Sequence, residues 1–195
     1  MLNWWLKYKT KKALKKTVRE RFFLNWSEIH TILLLIDARD SDDVELFINY
    51  LKDQNKTVKT LAYKDKKNTQ SYSPILYTII SDKEVYDWTG KAIANIIDLL
   101  NEEKYDLVID LTLERYPTME YILASSEAPL KAGYKKAELQ LPLYDLTIAS
   151  LPEPEESEKS PKAEESEESE KPERRQVKPL AREIVHYLST ISSKA

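Results

Sequence analysis

Apolar residues run almost unbroken through His30–Ala38, HTILLLIDA, and the run closes on Asp37. A short Ile/Leu stretch without polar alternation predicts a parallel strand buried on both faces. Ser41–Asn55, SDDVELFINYLKDQN, then sets Val44, Phe47, Ile48 and Leu51 at helical spacing. Ser41 or Asp42 is the expected N-cap, and Asp42 with Glu45 has the spacing of a capping box. Lys56–Asp65 loosely alternates Val58, Leu61 and Tyr63 and predicts a second strand, followed by a polar loop over Lys66–Ser71. Ile75–Ser81 predicts a third strand. Thr89 caps a helix beginning at Gly90, whose apolar face is Ala92, Ile96, Leu99 and Leu100 and whose first turns Trp88 staples.

The same grammar then repeats. Tyr105–Thr112, YDLVIDLT, is a second apolar run closing on an aspartate, and Pro117 opens a short helix over Thr118–Glu127. Pro129–Lys136 and Leu143–Ser150 each predict one more strand. Strands alternating with helices at these lengths imply right-handed crossovers and a mainly parallel sheet covered on both sides. The expected fold is therefore a three-layer Rossmann-like α/β domain of about five to six strands over residues 25–150.

Helices are expected at both ends. Residues 1–24 hold good helix formers with neither proline nor glycine, and Leu6, Leu14, Val18 and Phe22 recur along one face. Residues 177–195 place Leu180, Ile184, Tyr187, Leu188 and Ile191 at helical spacing behind Pro179 as N1, predicting an amphipathic helix that docks back on the domain or on a partner. Between them, residues 151–176 are almost all Glu, Ser, Lys and Pro, a composition with too little apolar surface to offset its ordering entropy, and read as an acidic flexible linker.

Charge changes the picture more than composition does. The net charge of −3 is a cancellation between the basic first helix and the acidic linker. With no cysteine in the chain, disulfides, thiolate zinc sites and cysteine nucleophiles are excluded, which suits the cytoplasm. Apolar runs such as Thr31–Ile36 are far shorter than the ~20 residues of a membrane span.

Standard catalytic signatures are missing. Gly90 and Gly133 are the only glycines, so neither a dinucleotide fingerprint nor a P-loop exists. His30 and His186 lie far apart without zinc-motif context, and no nucleophile elbow presents a serine. No cofactor or metal is expected. One crevice still deserves a place among the candidates. With strand order 3-2-1-4-5, the first and fourth strands are neighbours at the switch point, which sets Asp37 beside Asp110, with Asp40, Thr112 and Lys131 nearby. Paired carboxylates there could hold magnesium or share a proton. Equally, each could end its strand on neighbouring backbone N–H groups, and Asp40 could complement the following helix dipole.

Trp4, Trp5, Lys7, Lys11, Lys12, Lys15, Lys16 and Arg19 make the opening segment a candidate surface for anionic lipid, with the aromatics at headgroup level. RNA or ribosome binding would use the same charge. The plainer reading is a scaffold helix whose lysine stems cover apolar surface while their ammonium groups stay in water. Trp26 and Trp88 are expected in the core.

The stretch YDLVIDLTLERYPTMEYILASSEAPLKAGYKK resembles a family of small α/β proteins of unknown function from Bacteroidota. The resemblance extends to the basic first helix, TILLLIDA, the W-x-G-K of Trp88, Gly90 and Lys91, and LYDLTI. In outline, Tyr105–Gly133 is also similar to the N-terminal half of heptosyltransferase-type GT-B glycosyltransferases. Those enzymes bind their donor in a C-terminal half that has no counterpart here, so the resemblance implies a fold and not a reaction. The expectation is a non-enzymatic cytoplasmic adaptor or binding module with an unidentified protein partner, in contact with the inner membrane surface through residues 1–24. Its competitors are an enzyme using the Asp37/Asp110 crevice on a sugar or phosphometabolite, and an RNA- or ribosome-associated protein.

Overall fold

The computed structural model describes residues 2–64, 78–81, 91–136, 141–151 and 177–191. In chain order these form α1 (Leu2–Lys16), β1 (Thr31–Asp37), a 3-10 turn (Ala38–Asp40), α2 (Ser41–Asp53), β2 (Thr57–Lys64), β3 (Thr78–Ser81) and α3 (Lys91–Glu102). β4 (Leu107–Asp110), α4 (Pro117–Ser125), β5 (Leu130–Tyr134), β6 (Leu146–Ile148) and α5 (Val177–Ile191) complete the series. All strand pairs are parallel, in the order β3-β2-β1-β4-β5-β6. The chain therefore folds as the expected three-layer α/β sheet, with β1 and β4 adjacent at the reversal of strand order.

Strand alternation divides the core in two. Side chains two apart on a strand share a face, so Ile32, Leu34 and Ile36 of β1 pack with Leu107 and Ile109 of β4 beneath α2 and α5. Leu33 and Leu35 pack with Val108 on the opposite face, beneath α1, α3 and α4. This is why β1 is apolar at every position from Ile32 to Ile36.

The two terminal helices complete the layers. α1 packs along α4 and buries Leu6 and Thr10, the threonine hydroxyl returning to the Leu6 carbonyl at 2.8 Å. α5 lies beside α2 and over β5 and β6, burying Val177, Leu180, Ala181, Ile184 and Leu188. The terminal helix thus docks on its own sheet. Tyr187, expected on its apolar face, is exposed instead, and Pro179 is the third residue of the helix rather than the first.

Other element bounds also differ from expectation. α1 stops at Lys16 rather than near residue 24, and Val18, Phe22 and Phe23 are exposed. Its last turn carries Lys15 and Lys16, which favour the helix C-terminus. Just beyond it, Arg19 is pulled inward: its guanidinium donates to the Ala128 and Pro129 carbonyls at 3.2 and 2.9 Å and to both oxygens of Asp145 at 2.7 and 2.9 Å. That anchor holds the chain out of helical geometry. The N-cap of α2 is Asp40, without a side-chain cap bond, so neither Ser41 nor Asp42 caps the helix. Asn55 ends it at φ 58°, and the Lys56 N–H reaches back to the Leu51 carbonyl at 3.0 Å.

Trp26 packs against the core as expected, with the Lys56 ammonium 4.9 Å from its ring centroid. Trp88, Thr89, Gly90, the Lys66–Ser71 loop, residues 75–77 of the third predicted strand and the linker from residue 152 lie outside the described residues.

Arg19 and Asp145 are both nearly buried, so removing the cation strands a carboxylate inside the protein. Arg19→Ala should lower unfolding free energy by about 3–5 kcal/mol in urea titrations. Arg19→Lys should recover only part of that, because an ammonium cannot reproduce the two-pronged contact.

Candidate functional site

The register Leu35↔Asp110 between β1 and β4 brings the two strand-ending aspartates to the same crevice, offset by two residues. Both are buried, and each carries its own set of partners. The Asp37 carboxylate accepts the Arg39 N–H at 2.8 Å and the Arg39 side chain through Nε at 2.9 and 3.0 Å and Nη2 at 2.5 Å. It also accepts the Tyr116 hydroxyl, whose oxygen in turn accepts from Arg39 Nη2 at 2.7 Å. Glu114 receives the same Arg39 Nη2 at 2.8 Å and forms the exposed rim.

Asp110 is sealed more deeply. Its Oδ1 accepts the Thr112 N–H at 2.9 Å and the Thr112 hydroxyl at 2.5 Å. Its Oδ2 accepts Lys136 Nζ and the Tyr144 hydroxyl, both at 2.7 Å. Lys136 also touches Thr112 Oγ1 at 2.5 Å, and the ammonium and carboxylate are each only 1% exposed. A buried ion pair survives where further hydrogen bonds replace the lost water, as they do here.

These environments fix proton locations. Bonds to Asp37, then Glu114, hold Arg39 well above the usual guanidinium range. Burial and the bond to Asp37 push the Tyr116 phenol up, and burial beside Asp110 does the same for Tyr144. Each carboxylate therefore lies against one basic side chain and one phenol. Among the described residues, the two carboxylates bond to these partners and not to each other. Among the described residues no three His, Asp or Glu side chains converge as a metal site.

Of the five crevice candidates, Asp37, Asp110 and Thr112 come together. Asp40 sits three residues past Asp37 as the backbone cap of α2. Lys131 does not join them. Its register partner is Val108, and its Nζ donates to the Leu123 and Ser126 carbonyls at 2.6 and 2.7 Å, capping the C-terminus of α4. Arg39, Tyr116, Lys136 and Tyr144 were not among the candidates. Arg39 could have been found from its place two residues after Asp37, whereas Lys136 and Tyr144 reach Asp110 from 26 and 34 residues away with no local signal.

Gly133 has a role that its place in a strand did not suggest. A Cβ there would come within 2.9 Å of three atoms of the Tyr144 ring, so the missing side chain makes room for that ring to reach Asp110.

The opening helix separates into two faces. At about 100° per residue, Leu6, Thr10 and Leu14 face α4, while Trp4 and Tyr8 lie at the centre of the outer face. Lys7 and Lys11 border that centre on one side and Lys12 and Lys16 on the other, with Lys15 in line with it about two turns beyond Tyr8, all exposed. Trp4 is 73% exposed and its ring stacks on Tyr8 at 6.2 Å. Two expected members leave this set. Trp5 is partly buried against the core with the Lys9 ammonium 5.1 Å from its ring, and Arg19 is the internal anchor already described.

Two consequences are measurable. Gly133→Ala should displace Tyr144 and cost about 1–3 kcal/mol. In a Tyr144→Ala background the same change should cost far less, a coupling that a double-mutant cycle reads directly. The second concerns pH. Burial, reinforced by Arg19, lowers Lys131 to about 7 from its ordinary 10.5. Between those values the unfolded chain binds the extra proton, so unfolding free energy should rise with pH from about 7 until the tyrosines reverse the trend above 10.0. Lys131→Met should flatten that rise in denaturant titrations across the window.

No curated protein matches the chain. Residues 3–160, from the second residue of α1 to beyond β6, match the model of DUF6913, a family of unknown function, and the chain belongs to that family.

Proposed function

We propose that the protein is a non-enzymatic cytoplasmic binding module that docks on anionic membrane surfaces through the outer face of α1. The observation that carries this reading is the division of that helix: one face is fixed to α4, and the other holds the stacked Trp4–Tyr8 pair inside a border of five exposed lysines. Aromatic rings at the centre and long cations at the edges suit a helix lying in the interface, where rings enter the headgroup layer and ammonium groups reach lipid phosphates. Because the inner face is already packed, the lysines are presented without the cost of ordering the helix backbone at binding. No helix among the described residues is long and apolar enough to cross a membrane, so contact on this reading is peripheral.

An enzyme working in the Asp37/Asp110 crevice would need carboxylates able to hold magnesium or trade a proton. Arg39 and Lys136 already occupy them, which favours a bracing role for the crevice. RNA or ribosome binding draws on the same lysines but gives the Trp4–Tyr8 pair no apolar layer to enter.

Co-flotation of the full chain with anionic vesicles tests the proposal. Lys11→Gln and Lys15→Gln should each weaken partitioning by about fivefold, since a lysine near the surface contributes about 1 kcal/mol. Trp4→Ser should weaken it further and make the remainder fully salt-sensitive. Both lysines and Trp4 are exposed, so melting temperatures should move little, with only Lys15→Gln losing a small contribution at the C-terminus of α1. Failure of the wild type to float, or flotation indifferent to Trp4→Ser, would reject membrane docking. Lipid-independent binding to RNA that falls steeply with salt would replace it with the nucleic-acid reading.

A further inference from the structure

α2 and α5 lie side by side on the face of the sheet opposite α1, and a groove of about 470 Å³ runs between them. Leu46, Phe47 and Tyr50 line it from α2, and Ala181, Val185 and His186 from α5. The helices run in the same direction. Asp43 pairs with Lys178 at 3.0 Å near their N-terminal ends, and seven residues along each helix Tyr50 and Val185 line the same groove.

Helical geometry sorts the remaining positions. On α2, Val44, Ile48 and Leu51 are buried toward the sheet, which turns Leu46 outward with Asp42 and Asp53 beside it. On α5, Leu180, Ile184 and Leu188 are buried, and Lys178, Arg182 and His186 form an i, i+4, i+8 row that runs from the groove, where Lys178 meets Asp43, to the outer face at His186. Leu46 is 67% exposed and Tyr50 44%. The outer surface is thus an apolar seam with acids along one helix and bases along the other.

Such a surface complements itself. A two-fold axis along the groove lays α2 of each copy over α5 of its partner and brings the apolar seams together. It also sets Asp42 level with the Lys178 end of the basic row, and Asp53 level with its His186 end. A purely acidic ligand would meet Asp42 and Asp53, and a purely basic one would meet Lys178 and Arg182. A second copy presents both rows in exchanged order. We infer that this face is the interface of a homodimer. α1 lies on the other side of the sheet, so the dimer leaves its lysine face exposed and does not depend on the membrane reading.

Sedimentation equilibrium on the full chain, from micromolar to submillimolar concentration, should give a monomer–dimer equilibrium that weakens as salt rises. Leu46→Lys, which sets a cation in the apolar seam, should weaken dimerisation by about tenfold or more. Asp42→Lys, level with Lys178, should weaken it too. Circular dichroism should match wild type for both, and so should the melting curve of Leu46→Lys; Asp42→Lys, which takes an acid from the first turn of α2, should lower its melting temperature slightly without unfolding it. A wild type that stays monomeric throughout, or a dimer indifferent to both substitutions, would overturn the inference.

Discussion

A parallel sheet has two apolar faces, and each must be covered before the backbone between them is stable. Among the described residues that requirement outruns the crossovers. α2 is the helix between β1 and β2 on one face, while α3 and α4 lie on the other, and the described part of the β5–β6 connection carries no helix. The uncovered area is closed from the two ends of the chain: α1 is laid along α4, and α5 is brought in over β5 and β6. The architecture therefore depends on terminal helices that a simple alternation of strand and helix would treat as accessories. α5 also lies beyond the residues that match the family, so this chain completes its sheet with an element outside the matched segment.

The same constraint explains the polar centre. At the reversal of strand order the β1 and β4 carboxylates are drawn into the interior, where an unmatched charge would cost several kcal/mol. Arg39 with Tyr116, and Lys136 with Thr112 and Tyr144, meet that cost. Their placement ties the end of β1 to the entry of α4, and the end of β4 to segments flanking β5 and β6. A crevice that in other α/β proteins admits ligands is here a set of internal struts. On the proposed reading, function lies instead on the outer faces of the helices, where exposed aromatics and ordered rows of charge lie.

Much of the fold was legible because its determinants are local. TILLLID reads as a buried strand without knowledge of its neighbours, and Val44, Ile48 and Leu51 announce the inner face of α2 by spacing alone. The adjacency of Asp37 and Asp110 followed from the strand order. What could not be read depends on partners distant in sequence. Arg19 looked like one more surface cation of the first helix, yet its partner Asp145 is 126 residues away, and that contact ends the helical run early. Lys131 looked like a crevice cation, but its nitrogen follows the C-terminal carbonyls of α4. Trp4 and Trp5 are adjacent in sequence and were grouped together, although successive helix positions point about 100° apart. One meets solvent and the other the core.

That both terminal helices are structural parts of the domain is the claim on which the rest stands, and native-state amide hydrogen exchange tests it most directly. If α1 and α5 complete the sheet, backbone amides in the middle of Leu2–Lys16 and Val177–Ile191 should be protected to nearly the level of β1 and β4, opening only with the domain as a whole. Exchange of either helix at near-unprotected rates, while β1 and β4 stay protected, would show that the sheet stands without it and would contradict the account.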